Sequence, residues 1–429
     1  MANDPIELDL SLQVGKYEVQ KLLGKGATGT VYHAKDMFSG AEVALKTIEP
    51  EVFRDPEFGT VYRQQFLNEA SLAGKLKHPH IVGIYDAVVQ EESGYIAMEL
   101  VTQGDLSRHA KPGNLLPVAD VLQVGFKCCG ALDYAFREGI VHRDIKPANL
   151  MIASGTNVKI SDFGAAYLRK SLVVQTASMG SPFYMSPEQI RGEAVTFHSD
   201  MYSLGVVLYE LLTGTRPFTA DNMDALIAKI LDQPPAPPTK LRADLPKEID
   251  AILFRALAKS TEQRYPTWTE FSLELSGLAD KVLPPGVISD SEKYVALKRV
   301  PMLKSLSDAD LWELALAGKW SEVPGRKLIV KENDKGQSFF LVGKGQVKVS
   351  RGGRLLNTLD AGECFGEMAY IRGDIPRHAT VESQTELLLA EFDPETLGRM
   401  SVGAQLHLTR ALVRNLVDRL EEANTRMAR

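Results

Sequence analysis

The sequence predicts an α+β chain of two domains: a larger one of strands followed by helices, and a small β-barrel or jelly roll with flanking helices. The length of 429 residues is too great for one ordinary hydrophobic core. Short β-branched runs recur up to about residue 101, and short strands broken by glycine return after 283. Between them, apolar residues at helical spacing predict helices at 117–137, 199–213, 223–231, 247–258 and 268–278.

The composition indicates a soluble protein without a nucleic-acid partner. Hydrophobic residues make up 44% of the chain and the net charge is only −6, whereas a nucleic-acid-binding domain is usually strongly basic. No apolar run reaches the roughly 18 residues that a membrane helix needs, and the acidic start of the chain is unlike a secretory signal. Three cysteines, two of them adjacent, cannot form a disulfide framework or a zinc site. We therefore expect a cytoplasmic protein with no membrane span.

A glycine-rich motif lies near the N-terminus. Gly24, Gly26 and Gly29 fill the pattern G-x-G-x-x-G, and Val31 follows two positions later. Glycine allows a hairpin backbone to approach phosphate groups closely. Dinucleotide-binding folds use the same pattern, but there it leads into a helix, and here the β-branched residues that follow predict a strand. A second strand at hairpin distance carries Lys46.

Two further motifs carry the groups that phosphoryl transfer requires. The run His-Arg-Asp-Ile-Lys-Pro-Ala-Asn contains Asp144, Lys146 and Asn149, and Asp162 opens the triplet Asp-Phe-Gly. Such chemistry needs a base that orients a hydroxyl and oxygen ligands that hold Mg²⁺ against the phosphates of ATP.

These motifs resemble those of bacterial, Hanks-type serine/threonine protein kinases. The resemblance implies a bilobal kinase fold over 15–280, after an N-terminal extension at 1–14. It also implies that Asp144 orients the substrate hydroxyl, that Lys146 contacts the transferred phosphate, and that Asn149 and Asp162 bind Mg²⁺. Lys46 would hold the α and β phosphates of ATP.

The same resemblance assigns two more parts of the ATP site. Glu69, on a helix predicted at 60–76, would form an ion pair with Lys46, although by itself it fits a solvated helix face. The backbone of Glu99 and Val101 would bind adenine at the hinge between the lobes, with Met98 at the back of the pocket.

Residues 180–188 resemble the substrate-positioning loop of serine/threonine kinases. By resemblance, Glu188 pairs with Arg264, and Asp200 braces the catalytic loop.

The segment before that loop offers hydroxyls within reach of Arg143, whose guanidinium suits a phosphate. We expect autophosphorylation at Thr176 or Ser178, with Ser171 behind them; the alternative is that these are ordinary polar loop residues. A catalytically inactive kinase fold that acts as a scaffold is an alternative for the whole domain.

The second domain is predicted at 298–429, after a linker at 281–297. Its strands are predicted at 327–331, 339–342, 346–350 and 354–359, and a tight Gly-Gly turn precedes the last one. The stretch from Gly362 to Val381 then resembles the phosphate-binding cassette of cyclic-nucleotide-binding domains. Backbone amides and Arg377 would hold the cyclic phosphate, and Glu367 would accept the ribose 2′-hydroxyl.

The identity of the nucleotide stays open at this point. His378 follows Arg377, where eukaryotic cyclic-nucleotide-dependent kinases have alanine for cAMP or threonine for cGMP. A barrel that keeps the shape of the cassette but serves only for docking or dimerisation is the alternative.

The chain ends in a long helix predicted at 402–426. A narrow apolar seam recurs on it at alternating steps of four and three: Val402, Leu406, Thr409, Val413, Leu416 and Leu420. The helix either covers the nucleotide and packs on its own domain, or forms a homodimer. The sequence as a whole predicts a kinase that phosphorylates serine or threonine hydroxyls of proteins under the control of cyclic nucleotide.

Overall fold

The computed structural model describes residues 13–25, 29–48, 54, 59–71, 75–89, 93–163, 182–373 and 375–427. The chain divides into two compact units between Val282 and Leu283. Within the described ranges, no helix combines the length and the apolar character needed to cross a membrane.

The first unit begins with a six-stranded sheet in the order β1-β2-β3-β4-β6-β5, in which all neighbouring strands are antiparallel. Its strands are β1 (Gln13–Val14), β2 (Tyr17–Lys25), β3 (Thr30–Asp36), β4 (Glu42–Ile48), β5 (Ile84–Val89) and β6 (Gly94–Glu99). Helix α1 (Gly59–Ser71) packs Phe66 against Ile48 and Ile96. The segment predicted as an N-terminal extension, 1–14, therefore includes β1, which belongs to this sheet because its backbone pairs with β2.

The remainder of this unit is mainly helical. Its helices are α2 (Val118–Arg137), α3 (Pro187–Ile190), α4 (Phe197–Thr213), α5 (Met223–Asp232), α6 (Pro238–Leu241), α7 (Glu248–Ala256) and α8 (Trp268–Val282). Helix α4 is buried along most of its length, starts at the side-chain cap of Thr196 and stops at Gly214 in the left-handed conformation. A hairpin of β7 (Leu150–Ser154) and β8 (Asn157–Ile160) lies against α2 and separates the two predicted catalytic motifs.

The second unit contains two antiparallel four-stranded sheets, in the orders β10-β15-β12-β13 and β14-β11-β16-β9. Their strands are β9 (Lys319–Val323), β10 (Leu328–Val330), β11 (Phe339–Lys344), β12 (Gln346–Arg351), β13 (Arg354–Asp360), β14 (Cys364–Phe365), β15 (Thr380–Ser383) and β16 (Leu387–Phe392). Apolar side chains of both sheets form one core, which includes Val347, Val381 and Leu389. This arrangement confirms the predicted jelly roll.

Helices cover the outer face of the second sheet. They are α9 (Asp290–Lys298), α10 (Asp308–Ala317), α11 (Glu367–Arg372), α12 (Pro394–Leu397) and α13 (Val402–Met427). Leu297 of α9 is buried with Leu314, Phe392 and Leu412. The stretch predicted as a linker at 281–297 therefore includes a helix of the second unit, capped by Ser289.

Candidate active site and nucleotide pocket

The loop between α2 and β7 is held in place by Asp200 of α4. The backbone N–H groups of His142 and Arg143 each donate to the Asp200 carboxylate at 2.7 Å. Burial raises the pKa of this carboxyl. Arg143 has a φ of 69°, a left-handed conformation that a bulky residue rarely adopts unless its surroundings enforce it. The brace expected from Asp200 is present, and it fixes the residue that precedes Asp144.

Two residues predicted to be catalytic, Asp144 and Lys146, and one predicted metal ligand, Asn149, meet on this loop. The Lys146 ammonium lies 2.7 Å from Oδ2 of Asp144. The Asn149 amide nitrogen donates to the backbone oxygen of Asp144 at 2.8 Å and to its Oδ2 at 3.2 Å. Because the amide nitrogen is used in this way, the amide oxygen of Asn149 is left as the atom that can bind a cation.

Asp162 meets Lys46 across the site. The Lys46 ammonium is 2.7 Å from Oδ1 of Asp162, and the positive charge of Lys46 lowers the pKa of this carboxyl. Asp162 has a φ of 60°, so its backbone is also in the left-handed region. Glu69 lies on α1, but its side chain is outside the described part of the chain, and its pairing with Lys46 stays a prediction.

The glycine-rich hairpin joins β2 to β3. Gly24 is on β2 and Gly29 immediately precedes β3, whereas Gly26 lies outside the described residues. A Cβ at Gly29 would lie 2.0 Å from the backbone oxygen of Thr47, so only glycine fits there. Val31 pairs in register with Lys46 of β4. The hairpin therefore starts directly beside the lysine.

The predicted hinge follows β6. The Glu99 carboxylate accepts the backbone N–H of Gly83 at 3.2 Å and the Lys159 ammonium at 2.9 Å. The side chain of Glu99 thus ties the hinge to β8, a structural contact that the sequence did not reveal. No hydrogen bond from another described residue reaches the backbone of Val101.

Glu188 and Arg264 form the expected ion pair in the core of the helical lobe. Two guanidinium nitrogens lie 2.8 Å from the two carboxylate oxygens, and Ser199 donates to the same carboxylate at 2.6 Å. Burial alone would raise the pKa of Glu188, but the Arg264 hydrogen bond and charge hold it below its usual value. The neighbouring Gln189 donates to the backbone oxygen of Arg143 at 3.0 Å. The substrate-positioning loop and the catalytic loop are therefore directly joined.

The activation-segment hydroxyls predicted to be phosphorylated, Thr176, Ser178 and Ser171, lie in the stretch 164–181, outside the described residues.

The second unit contains a cavity of about 550 Å³ next to α11. Arg377 lines it and is only 7% exposed. Its Nη1 donates to the backbone oxygen of Ser338 at 2.6 Å and to that of Gly366 at 3.4 Å. Burial lowers the pKa of the guanidinium, and no carboxylate among the described residues forms an ion pair with it. The guanidinium also lies 5.7 Å from the centre of the Phe340 ring. A buried cation whose hydrogen bonds go to carbonyl oxygens suits an anionic ligand.

Glu367 is the first residue of α11 and lies in the same cavity lining. Its Oε1 accepts a hydrogen bond from Nη1 of Arg419 at 2.9 Å. The structure thus brings Glu367 and Arg377 to one cavity, as the cassette resemblance implied, and leaves Oε2 of Glu367 able to accept a hydroxyl.

Comparison with known families agrees with this geometry. Residues 17–283 match the family model described as protein kinase domain, which is well over half of the chain. The chain belongs to the protein kinase family. Residues 321–401 of this kinase match the model described as cyclic nucleotide-binding domain.

Relatives of the kinase are found among bacterial proteins. It is 36% identical over 296 residues to the serine/threonine-protein kinase PknB of Mycolicibacterium smegmatis, covering 67% of this chain and 47% of that protein. It is 38% identical over 278 residues to the probable serine/threonine-protein kinase PknB of Bifidobacterium longum, covering 62% of this chain and 40% of that protein. The kinase thus spans about half the length of these relatives or less.

Sequence reasoning missed Arg419 as a member of the nucleotide pocket. Besides Glu367, the Arg419 guanidinium binds the backbone oxygen of Cys364 at 2.7 Å, and Asn415 donates to the sulfur of Cys364 at 3.3 Å. Leu408, Leu412, Asn415 and Arg419 follow one another at steps of four, three and four, so they share a helix face. The available sequence signal was this spacing, which places Asn415 and Arg419 on the same helix face as the apolar Leu408 and Leu412. Both leucines are buried in the domain.

Proposed function

We propose that this kinase transfers the γ-phosphate of ATP to serine or threonine hydroxyls of proteins, and that cyclic nucleotide bound to the C-terminal domain regulates the transfer. The cluster of Asp144, Lys146 and Asn149, with Asp162 on Lys46, carries the first part of the proposal. The buried Arg377 in a cavity that Glu367 shares carries the second.

Each residue of the kinase site has its own role in the phosphoryl transfer. Asp144 orients the substrate hydroxyl and accepts its proton, while Lys146 contacts the moving phosphoryl group. The bond from the γ-phosphorus to the β-phosphate oxygen breaks, the bond to the substrate oxygen forms, and ADP leaves. Lys46 holds the α and β phosphates, Glu69 orients Lys46, and the backbone of Glu99 and Val101 binds the adenine.

The metal requirement of this chemistry fits the donor set. The amide oxygen of Asn149 and the carboxylate of Asp162 are the hard oxygen ligands that Mg²⁺ prefers. When bound, Mg²⁺ neutralises charge on the phosphates of ATP. Asp162 stays ionised for this role because Lys46 lowers the pKa of its carboxyl.

Autophosphorylation with Mg·ATP tests the kinase activity. Lys46→Ala and Asp162→Ala should each reduce the rate by at least about a hundredfold, since the first removes the cation that holds the phosphates and the second removes a carboxylate that would hold Mg²⁺. Lys111→Ala, which removes an exposed lysine of the helical lobe, is the matched control and should retain the wild-type rate. Near-wild-type rates in either site variant would contradict the assignment of Lys46 and Asp162 to the active site. ATP binding without transfer in the wild type would support a scaffold instead.

Calorimetric titration with cAMP and with cGMP tests the second site. The wild type should bind at least one of them, and Arg377→Ala should lose that binding because the cyclic phosphate loses its charged partner. Arg354→Ala removes an exposed arginine of the same domain and should bind as the wild type does. Absence of binding in the wild type would leave the domain as a docking or dimerisation module.

We also propose that α13 joins two copies of the kinase. The helix has a buried face with Leu408 and Leu412, a polar face with Arg414, and an exposed apolar stripe. The stripe contains Val402, Leu406, Val413, Val417 and Leu420. Val402, Leu406, Val413 and Leu420 of this stripe keep the heptad spacing of a coiled-coil seam, which supports a second copy of the same helix as its partner.

Sedimentation equilibrium tests the homodimer. Leu406→Glu combined with Val413→Glu should convert a dimer into a monomer, because both charges would be buried in the seam. Arg414→Glu, on the polar face, should leave the dimer intact. A wild-type chain that is monomeric at all concentrations tested contradicts the proposal.

A further inference from the structure

One wall of the nucleotide cavity is a row of side chains that crosses all four strands of the first sheet of the second unit. Val330 of β10 pairs in register with Val381 of β15, which pairs with Val349 of β12, which pairs with Asn357 of β13. All four residues line the cavity. Residues in register across a sheet point to the same face, so the wall consists of three valines followed by one amide at the edge strand.

This wall fits a flat heterocyclic ring. Val349 is partly buried and presents apolar surface to the face of a purine, and the buried Val330 and Val381 extend this apolar wall behind it. Leu359, two positions after Asn357 on the same face of the strand, is buried beside the row and also lines the cavity. The polar edge of a purine that lies on the valines then meets the side chain at the end of the row, which is Asn357.

Two other polar side chains of the cavity, Glu363 and Arg419, already have partners within the domain. Glu363 accepts the backbone N–H of Asp360 at 2.7 Å. Arg419 is bound to Glu367 and to the chain at Cys364. His378, which directly follows Arg377, is exposed and also lines the cavity. Among the described residues, none donates to or accepts from the side-chain amide of Asn357.

We propose that Asn357 contacts the edge of the base and makes the domain select adenine, so that the ligand is cAMP rather than cGMP. This inference rests on the proposed binding of cyclic nucleotide. An amide offers both a donor and an acceptor, which match N7 and the 6-amino group of adenine together. Guanine presents two acceptors, N7 and O6, on the same edge, and an amide cannot satisfy both.

Comparative titration of the full-length kinase tests the inference. The ligands are cAMP, cGMP and cyclic inosine monophosphate, which carries O6 as guanine does but lacks its 2-amino group. The wild type should bind cAMP about tenfold more tightly than either of the others, since one two-point contact distinguishes the bases. Asn357→Leu should abolish this preference, mainly by weakening cAMP.

A matched control lies one position along the strand. Thr358 follows Asn357 on β13 and points to the opposite face of the sheet, so Thr358→Val should keep the wild-type preference. A thermal unfolding midpoint near that of the wild type establishes that Asn357→Leu is folded, as expected for an exposed edge-strand position.

The outcomes separate this inference from the proposed function on which it rests. If binding depends on Arg377 but the wild type prefers cGMP, or the cAMP preference survives in Asn357→Leu, the role of Asn357 is overturned and cyclic-nucleotide binding stands. If the wild type binds none of the three ligands, both proposals are overturned together.

Discussion

At the scale of single residues, the kinase site depends on two strained backbone positions. Arg143 and Asp162 both have positive φ angles, 69° and 60°, and such conformations cost about 1–3 kcal/mol each in a residue other than glycine. Asp200 stabilises the first through the backbone N–H of Arg143, and Lys46 binds the side chain of the second. The strain places Asp144 and Asp162 where the proposed transfer needs them.

Gly366 of the cassette provides a residue-scale prediction. It has a φ of 82°, and a Cβ there would lie 2.7 Å from Nη1 of Arg377 and 3.0 Å from the backbone oxygen of Ser338. Gly366→Ala should therefore displace the guanidinium and weaken cyclic-nucleotide binding at least about tenfold in calorimetric titration. Gly373→Ala is the control, because Gly373 has a similar φ of 72° but only Gln337 nearby, at 3.7 Å. Equal losses in both variants would attribute the effect to backbone strain alone.

The ion pair between Glu188 and Arg264 gives a second residue-scale prediction. Glu188→Gln leaves a buried guanidinium without its counter-charge and should destabilise the first unit by about 3–5 kcal/mol near neutral pH. The pKa of the Glu188 carboxyl is lowered in the folded state. Its stabilisation is therefore fully present above the ordinary glutamate pKa and is lost as the pH falls through the lowered value.

Urea denaturation of the wild type and of Glu188→Gln at several pH values checks this expectation. The difference in unfolding free energy between wild type and Glu188→Gln should shrink as the medium becomes acidic. Glu248→Gln, which breaks the exposed pair with Lys281, should have a small effect. A difference for Glu188→Gln that stays constant with pH would mean that ionisation of this carboxyl does not contribute.

At the scale of elements, the sequence predicted helices better than strands. The helix predicted at 223–231 is observed at Met223–Asp232, and that predicted at 117–137 at Val118–Arg137, because caps and apolar spacing are local signals. Strands β15 and β16 were not predicted as elements. A four-residue strand such as Thr380–Ser383 has a weak pattern, and its partner lies far away in the chain, as Val381 with Val330 shows.

The same contrast between local sequence signals and long-range strand pairing applies to the functional residues. The motif residues Asp144, Asn149 and Asp162 could be named from the sequence because their spacing is distinctive. The position of Asn357 at the end of a row of valines depends on strand register, including an irregularity in the pairing of β12 with β13. No sequence pattern indicates it. The apolar seam of α13 was identified, but the structure places it on the exposed side, while Ala404 and Leu408 face the domain.

The contact between α13 and α11 yields an element-scale prediction. Arg419 binds Glu367 and the backbone at Cys364, and so fixes the carboxylate proposed to accept the ribose hydroxyl. Arg419→Ala should weaken cyclic-nucleotide binding by about tenfold, in line with the loss of a charge-assisted hydrogen bond. Arg414→Ala removes an exposed arginine from the polar face of the same helix and should have no effect in the same titration. Tighter binding in Arg419→Ala would mean that Arg419 competes with the ligand for Glu367.

At the scale of the whole molecule, the two units are expected to respond to different ligands. A ligand that binds only the folded state stabilises the unit that holds it, by about 2.7 kcal/mol at a hundred times its Kd. In scanning calorimetry of the full chain, cAMP should raise the unfolding temperature of the second unit, and Mg·ATP that of the first. Arg377→Ala should remove the first effect and keep the second. A shift of both transitions by cAMP in Arg377→Ala would place its binding outside the cassette.

Occupation of both sites does not by itself produce regulation, because a ligand shifts an equilibrium only if its affinity differs between the active and inactive arrangements. We expect saturating cAMP to change the rate of peptide phosphorylation at least about threefold, a coupling typical of allosteric proteins. Arg377→Ala should keep the basal rate, because Arg377 lies outside the kinase unit, and it should lose the response to cAMP.

Binding reciprocity offers an independent check. If cAMP changes the affinity for a non-hydrolysable ATP analogue by some factor, the analogue must change the affinity for cAMP by the same factor. Normal cAMP binding without either effect would show that the C-terminal domain binds its ligand without controlling the kinase.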